Sequence, residues 1–301
     1  MRKTKRIKSL KKSRFGYFFI APYFIVFLIF GLYPIIYSFY TSFSKWDGFS
    51  PPVFIGLDNY QRLFTNLEFY HSILNTLIIW IVSIVPELII ALLLALILNE
   101  RFVKGKHVFR AVFYFPNIVT AITIGVLVNL MFDWQTGSIN KLLMALHITD
   151  HPINWFGHSF LAQIIISAVM CWQWFGVNML IFTAGLQSIP RTLYEAAEVD
   201  GANRFQITMN ITLPLLKPVI LFTVITSIIG GMQIFEVPLV AGNASGDSTQ
   251  TMMVYLYNTA FTRFQYGYAS SISYGMFIII LIFSIISLLV SRSRKKNTQS
   301  V

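Results

Sequence analysis

The sequence predicts an all-α integral membrane protein with six transmembrane helices, and three observations lead there. Apolar residues make up 55% of the 301-residue chain and charged residues only 12%, more apolar surface than a soluble core of that length could hide. Four windows contain no Lys, Arg, Asp or Glu: Phe15–Ser44, Ala111–Phe132, His151–Pro190 and Phe264–Ser291. Each exceeds the ~20 residues that cross a hydrocarbon core. Two more windows hold one acid apiece, Glu87 in Phe69–Asn99 and Glu236 in Pro218–Gly246. Of the 23 Lys and Arg residues, nineteen fall before the first span, at 101–110, in the loop 188–217 or after the last span, while Lys45, Arg62, Lys141 and Arg263 fall on the other side. The positive-inside rule then puts both termini and the 188–217 loop in the cytoplasm. Retention on that side, against a lipid surface, accounts for the net charge of +11 without a nucleic-acid partner.

Residues 1–14 read as a basic cytoplasmic tail. The uncharged run after it is thirty residues long, too long for a cleavable signal and without a small-residue cleavage site, so it reads as the first permanent span. The outward loop Lys45–Tyr70 interleaves aromatic residues with Gly, Asp and Asn, the composition of an interfacial turn and a short surface helix. In the second span Glu87 follows Pro86. A carboxylate there costs about 2.5–3.5 kcal/mol on insertion scales and needs a cavity or a partner; a structural hydrogen bond is the plainer reading. Pro34, Pro86, Pro116 and Pro238 lie in or near spans, as kinks or as breaks bordering cavities.

Between the third and fourth spans His147 and His151 are four apart, but Pro152 ends any helix that would align them, and no metal site is assigned. Cys171, the sole cysteine, leaves no disulfide and no Cys-based metal cluster. The fourth span carries Trp172, Gln173, Trp174 and Asn178, a polar-aromatic cluster that is either packing glue or cavity lining. In the fifth, Gln233 and Glu236 are one helical turn apart, facing either a solute or a structural partner. Asn243-Ala244-Ser245 is a chance-level glycosylation triplet. Residues 15–291 form the membrane domain and 292–301 a second basic cytoplasmic tail.

The loop 188–217 is the most specific stretch. Pro190 suits a first helical turn, Leu193, Ala196, Ala197 and Asp200 recur at helical spacing, and Gly201 supplies the left-handed residue that ends a helix. Asn203 with Gln206 forms a capping box that opens a second helix, expected to run to Thr212 and stop at Pro214. An ordinary solvated connection fits these residues too.

Glu195-Ala196-Ala197, Gly201 six residues after the Glu, and Ile211-Thr212-Leu213-Pro214 resemble the coupling loop of permease subunits of ATP-binding-cassette (ABC) importers. Gly56-Leu57-Asp58-Asn59-Tyr60, Gly137 with Asn140, Asn154-Trp155 and Gly267-Tyr268-Ala269-Ser270 resemble the sugar-uptake branch, which includes the maltose, multiple-sugar and lactose permeases. The resemblance implies the type I importer permease fold, with cytoplasmic coupling helices between spans four and five formed by Glu195, Ala196, Ala197, Asp200, Gly201, Leu213 and Pro214. It implies a substrate pathway for sugars or oligosaccharides, for which Gln233, Glu236, Trp174 and Asn178 are the candidates. It also implies a second permease chain, an extracytoplasmic solute-binding protein and a cytoplasmic ATPase.

No Gly-x-x-x-x-Gly-Lys-Ser/Thr phosphate loop occurs, so this chain is not the ATPase, and the resemblance implies that the partner hydrolyses ATP; with His-Glu-x-x-His, Gly-x-Ser-x-Gly and Gly-x-Gly-x-x-Gly also missing, the chain is expected to be neither an enzyme nor a cofactor carrier. The alternatives are a glycerol-phosphate permease, which would want a basic cavity that the spans do not offer, and a secondary transporter coupled to ions through Glu87 or Glu236.

Overall fold

The computed structural model describes residues 14–100, 102–242 and 246–297. The basic segment 1–13, the Asn243-Ala244-Ser245 triplet and the end of the chain from Thr298 lie outside the described residues. In chain order, α1 (Arg14–Phe27) passes through a π-helical stretch, Leu28–Leu32, into α2 (Tyr33–Ser42). Strands β1 (Ser44–Lys45) and β2 (Val53–Phe54) precede α3 (Asp58–Thr65) and α4 (Leu67–Asn99). Next come α5 (Lys106–Ile118), α6 (Ala121–Met131), α7 (Ser138–Ala145), α8 (Ser159–Gln187), α9 (Arg191–Val199) and α10 (Arg204–Ile207). A second π stretch, Thr208–Thr212, leads into α11 (Leu213–Gly231), followed by α12 (Glu236–Ala241), α13 (Met252–Tyr257) and α14 (Tyr266–Asn297). The fold is helical as expected, except that β1 and β2 pair antiparallel, Ser44 with Phe54 and Lys45 with Val53.

Five helical stretches are long and apolar enough to cross a membrane: Tyr17–Ser42, Leu67–Asn99, Ser159–Gln187, Arg204–Ala241 and Tyr266–Val290. The expected third span, Ala111–Phe132, is instead α5 and α6 meeting at 83°, and counting that pair as one bent span brings the number to six. The break has a local cause. Pro116 cannot donate to the ladder, Val119 and Thr120 are extended, and the Thr120 side chain caps α6 by accepting the Thr123 N–H.

A second departure concerns Pro214, which does not stop the helix. The π stretch ahead of it gives an i→i−5 bond from the Leu213 N–H to the Thr208 carbonyl, and the wide turn removes the close i−4 carbonyl that a proline ring would strike. Pro34 follows the stretch Leu28–Leu32 at the same spacing, with the Tyr33 N–H bonded to the Leu28 carbonyl. One device thus carries two spans through a proline.

The described residues form two compact units, those up to Phe64 with 259–274, and 65–258 with those from Gly275 onward. In the first, α2 ends at a hairpin whose turn is tied by Asp47: its Oδ1 accepts from Ser50 Oγ (2.7 Å), Ser50 N (2.9 Å) and Phe49 N (3.0 Å). Those bonds, the Ser50 hydroxyl's first, hold the Asp47 carboxyl down at about 2. Asn59, buried at the start of α3, donates to the Ser42 and Ser44 carbonyls. The Arg62 guanidinium lies 4.0 Å over the Tyr268 ring.

The second unit is built on α4 against α8. Ala91 and Ala95, both fully buried, let α4 approach Met179, Phe182 and Leu186 of α8, and Leu216 of α11 closes the cluster. Polar bonds join the same two helices: Gln163 Nε2 donates to Asn75 Oδ1 (3.0 Å) and Ser167 Oγ to the Ile79 carbonyl (3.2 Å). In α7, buried Asn140 donates to the Trp134 and Ile153 carbonyls and accepts from Ile153 N and Trp155 Nε1.

Candidate functional site

Within the second unit, α4, α8, α11 and the start of α12 enclose a cavity of about 440 Å³. α4 contributes Trp80, Ser83 and Glu87, spaced three and four apart on one helical face. α8 contributes Gln173, Trp174 and Asn178, and α11 contributes Thr223, Thr226, Ser227, Gly230 and Gly231. Trp80 Nε1 donates to Ser227 Oγ at 3.0 Å, and its indole lies against Gly231, where an added Cβ would overlap the ring. Glu87 and Asn178, both buried, are bonded to each other, Asn178 Nδ2 donating to Glu87 Oε1. The structural hydrogen bond expected of Glu87 is therefore present, and it faces the cavity.

All four residues assigned to the pathway, Gln233, Glu236, Trp174 and Asn178, line this one cavity. Trp172 does not. The expected geometry of Gln233 and Glu236 is corrected: they are not a turn apart on one helix. α11 ends at Gly231, the Gln233 N–H bonds the Gly230 carbonyl, Phe235 leaves helical geometry (φ −134°, ψ −62°), and Glu236 opens α12. Paired glycines weaken the helix here, and Pro238 has no N–H for the Ile234 carbonyl, which accepts from Thr251 Oγ1 instead (2.7 Å). In the first turn of the new helix that missing donor costs nothing.

Sequence reasoning missed Trp80, Ser83, Thr223, Thr226 and Ser227. Their signal was available: 80, 83 and 87, and 223, 226, 227 and 230, are polar or small stripes at helical period in otherwise apolar spans.

The 188–217 loop folds largely as its residues dictate. α9 ends in a Schellman motif, with Ala202 N bonded to the Ala197 carbonyl (2.9 Å), Gly201 N to the Glu198 carbonyl (3.1 Å) and Gly201 at φ +78°. The capping box is complete: Gln206 N donates to Asn203 Oδ1 (2.8 Å) and Asn203 N to Gln206 Oε1 (2.9 Å). Glu195, Ala196, Asp200, Gly201 and Pro214 are exposed, Leu213 is half-buried and Ala197 is buried. Arg204 pairs with Glu100 at 3.2 Å, bringing α10 to the end of α4. Leu193, Val199, Phe205 and Met209 are exposed apolar side chains on this loop.

Comparison with known proteins follows the same lines. The chain is 37% identical over 287 residues to the arabinooligosaccharides transport system permease protein AraP of Bacillus subtilis (strain 168), covering 94% of this chain and 90% of that protein. It is 35% identical to the trehalose/maltose transport system permease protein MalF of Thermococcus litoralis, covering 97% and 98%, and 34% identical to the lactose transport system permease protein LacF of Rhizobium radiobacter, covering 93% and 95%. Among solved structures, a bacterial ABC transporter involved in the import of the acidic polysaccharide alginate superimposes with a TM-score of 0.80 at 25% identity, covering 94% of this chain and 97% of that one. A second alginate transporter structure, in complex with an alginate pentasaccharide-bound periplasmic protein, gives 0.80 at 24%. With residues 75–296 matching the family described as binding-protein-dependent transport system inner membrane component, this multi-pass membrane protein belongs to that family.

Proposed function

We propose that the chain is a permease subunit of an ATP-driven importer of sugars or oligosaccharides, forming one wall of the solute pathway and passing force to it from a separate ATPase. One observation carries the reading: α10, the second π stretch and α11 form one helical run from Arg204, in the 188–217 loop, to Gly231 in the wall of the cavity. A partner that grips Glu195, Ala196, Ala197, Asp200 and Gly201 therefore pulls on Thr226 through this run, and on Gln233 and Glu236 through the non-helical link that follows Gly231. The exposed apolar residues of the loop, Val199 and Phe205 among them, give such a partner a surface to bury. Amides, hydroxyls and indoles in the cavity suit sugar hydroxyls and ring C–H faces.

In this reading the loop and both termini are cytoplasmic, a second permease chain completes the pathway, a solute-binding protein delivers the sugar, and no cofactor binds here. The cavity lining holds no Lys or Arg among the described residues, which disfavours glycerol phosphate.

The test is reconstitution of the complex in liposomes with its ATPase and solute-binding protein. Uptake of a neutral oligosaccharide should require ATP and survive an uncoupler. Uptake that collapses with the proton gradient and ignores ATP would establish the ion-coupled alternative.

A further inference from the structure

The two acids of the cavity are held differently. Glu87 is buried and bonded to Asn178, whereas Glu236 is exposed and, among the described residues, forms no ion pair. No Lys, Arg or His lines the cavity within the same residues. The remaining polar lining, such as Gln173, Gln233, Thr226 and the Trp80 indole, consists of uncharged groups that bond a hydroxyl without regard to the charge elsewhere on a solute. An unpaired carboxylate in a membrane-enclosed space repels a second carboxylate more strongly than it would in bulk water, and salt screens it less. The solved importer that shares this fold is described as carrying an acidic polysaccharide, so the fold alone leaves the charge of the solute open.

We propose that Glu236 is a specificity-determining residue that excludes carboxylated saccharides, so that this wall of the pathway admits uncharged ones. The proposal rests on the saccharide reading above and adds the charge class of the solute. Its chemistry is a difference between competing solutes: the carboxylate is indifferent to a neutral ring and opposes a uronate.

The experiment uses the assembled complex in detergent, with Cys171→Ala and Thr226→Cys, the latter placing a thiol on the cavity wall. Its reaction rates with a cationic and an anionic methanethiosulfonate are each divided by the reagent's rate with glutathione. The cation-to-anion ratio should be about ten in this parent and fall several-fold on adding Glu236→Gln, as expected for removal of one nearby charge. A ratio near one in the parent, or one that Glu236→Gln leaves unchanged, overturns the proposal. Charges contributed by a second permease chain are common to both samples, so the difference reads Glu236 alone.

Equilibrium dialysis of the same complexes against trigalacturonate and against maltotriose, arabinotriose and lactose gives the second arm. Glu236→Gln should raise the ratio of trigalacturonate to neutral retention about ten-fold. Trigalacturonate held by the parent as strongly as a neutral sugar overturns the proposal. Retention of no saccharide, with the thiol ratio shifting as expected, overturns the saccharide reading and leaves the exclusion of anions standing.

Discussion

At the scale of single residues, the Glu87–Asn178 bond shows how a carboxyl is kept inside a span. Both groups are buried, so removing the donor alone leaves the acceptor without a partner, at about 1–3 kcal/mol. Asn178→Ala should lower the melting temperature of the purified complex, while Glu87→Gln, which keeps a carbonyl oxygen for Asn178 to meet, should stay close to wild type. Equal melting of Asn178→Ala and wild type would show the bond to be dispensable. Gly201 offers a contrast, because an added Cβ there meets nothing within 4 Å and the whole penalty is in the backbone at φ +78°. Gly201→Val should insert and assemble normally yet lose solute-stimulated ATP hydrolysis, since forcing a β-branched residue into the left-handed region costs about 1–2 kcal/mol and re-aims α10. Wild-type stimulation would remove Gly201 from the coupling role. Gly201, Asn203 and Gln206 were legible in the sequence because their partners lie within a few residues. The Glu87–Asn178 bond was not, because it joins residues 91 apart and exists only once α4 and α8 have packed.

Between residue and domain, the elements most often depart from their sequence pattern where a proline sits in a span. Periodicity identified the apolar runs but not their continuity: the helix runs on from Pro214 to Gly231 but ends at Ile118, just after Pro116, and the difference lies in the π stretch before one and the extended Val119–Thr120 pair after the other. Deleting Asn210 should close the π stretch to an ordinary helix and bring the i−4 carbonyl against the Pro214 ring, a strain of about 3 kcal/mol. The deletion should therefore destabilise the complex in a thermal melt, and adding Pro214→Ala should restore most of the loss. A deletion that melts as wild type would show that the wide turn does not serve the proline. The β1–β2 hairpin turn is a different case. The Asp47 carboxyl lies below its ordinary value, so the stabilisation it gives the hairpin is fully present above about pH 4 and is lost as pH falls toward about 2. Protection factors of the Phe49 and Ser50 amides in hydrogen exchange should be flat from pH 7 to about 4 and drop below it, and Asp47→Ala should abolish them at every pH.

For the whole molecule, the asymmetry of basic residues makes the orientation testable. Cysteines placed singly at Ser50, Ser138 and Ser248 in a Cys171→Ala background should react with an impermeant thiol reagent in intact cells, and one at Thr298 should not. Reaction at Thr298 alone would invert the topology.

Packing also distributes stiffness. α4 is 33 residues long, about 50 Å of helix, and it is fastened to α8 at successive levels: Asn75 to Gln163, Ile79 to Ser167, Glu87 to Asn178, and Ala91 and Ala95 against Met179 and Phe182. Two rods bonded at intervals behave as a laminated beam, which resists flexure more than the rods would separately. Compliance in this unit is thereby concentrated where a membrane helix is interrupted, at Val119–Thr120 and between Gly231 and Glu236, and the second interruption is part of the cavity wall. A load applied at the 188–217 loop is spent on displacing that wall against a fixed mast.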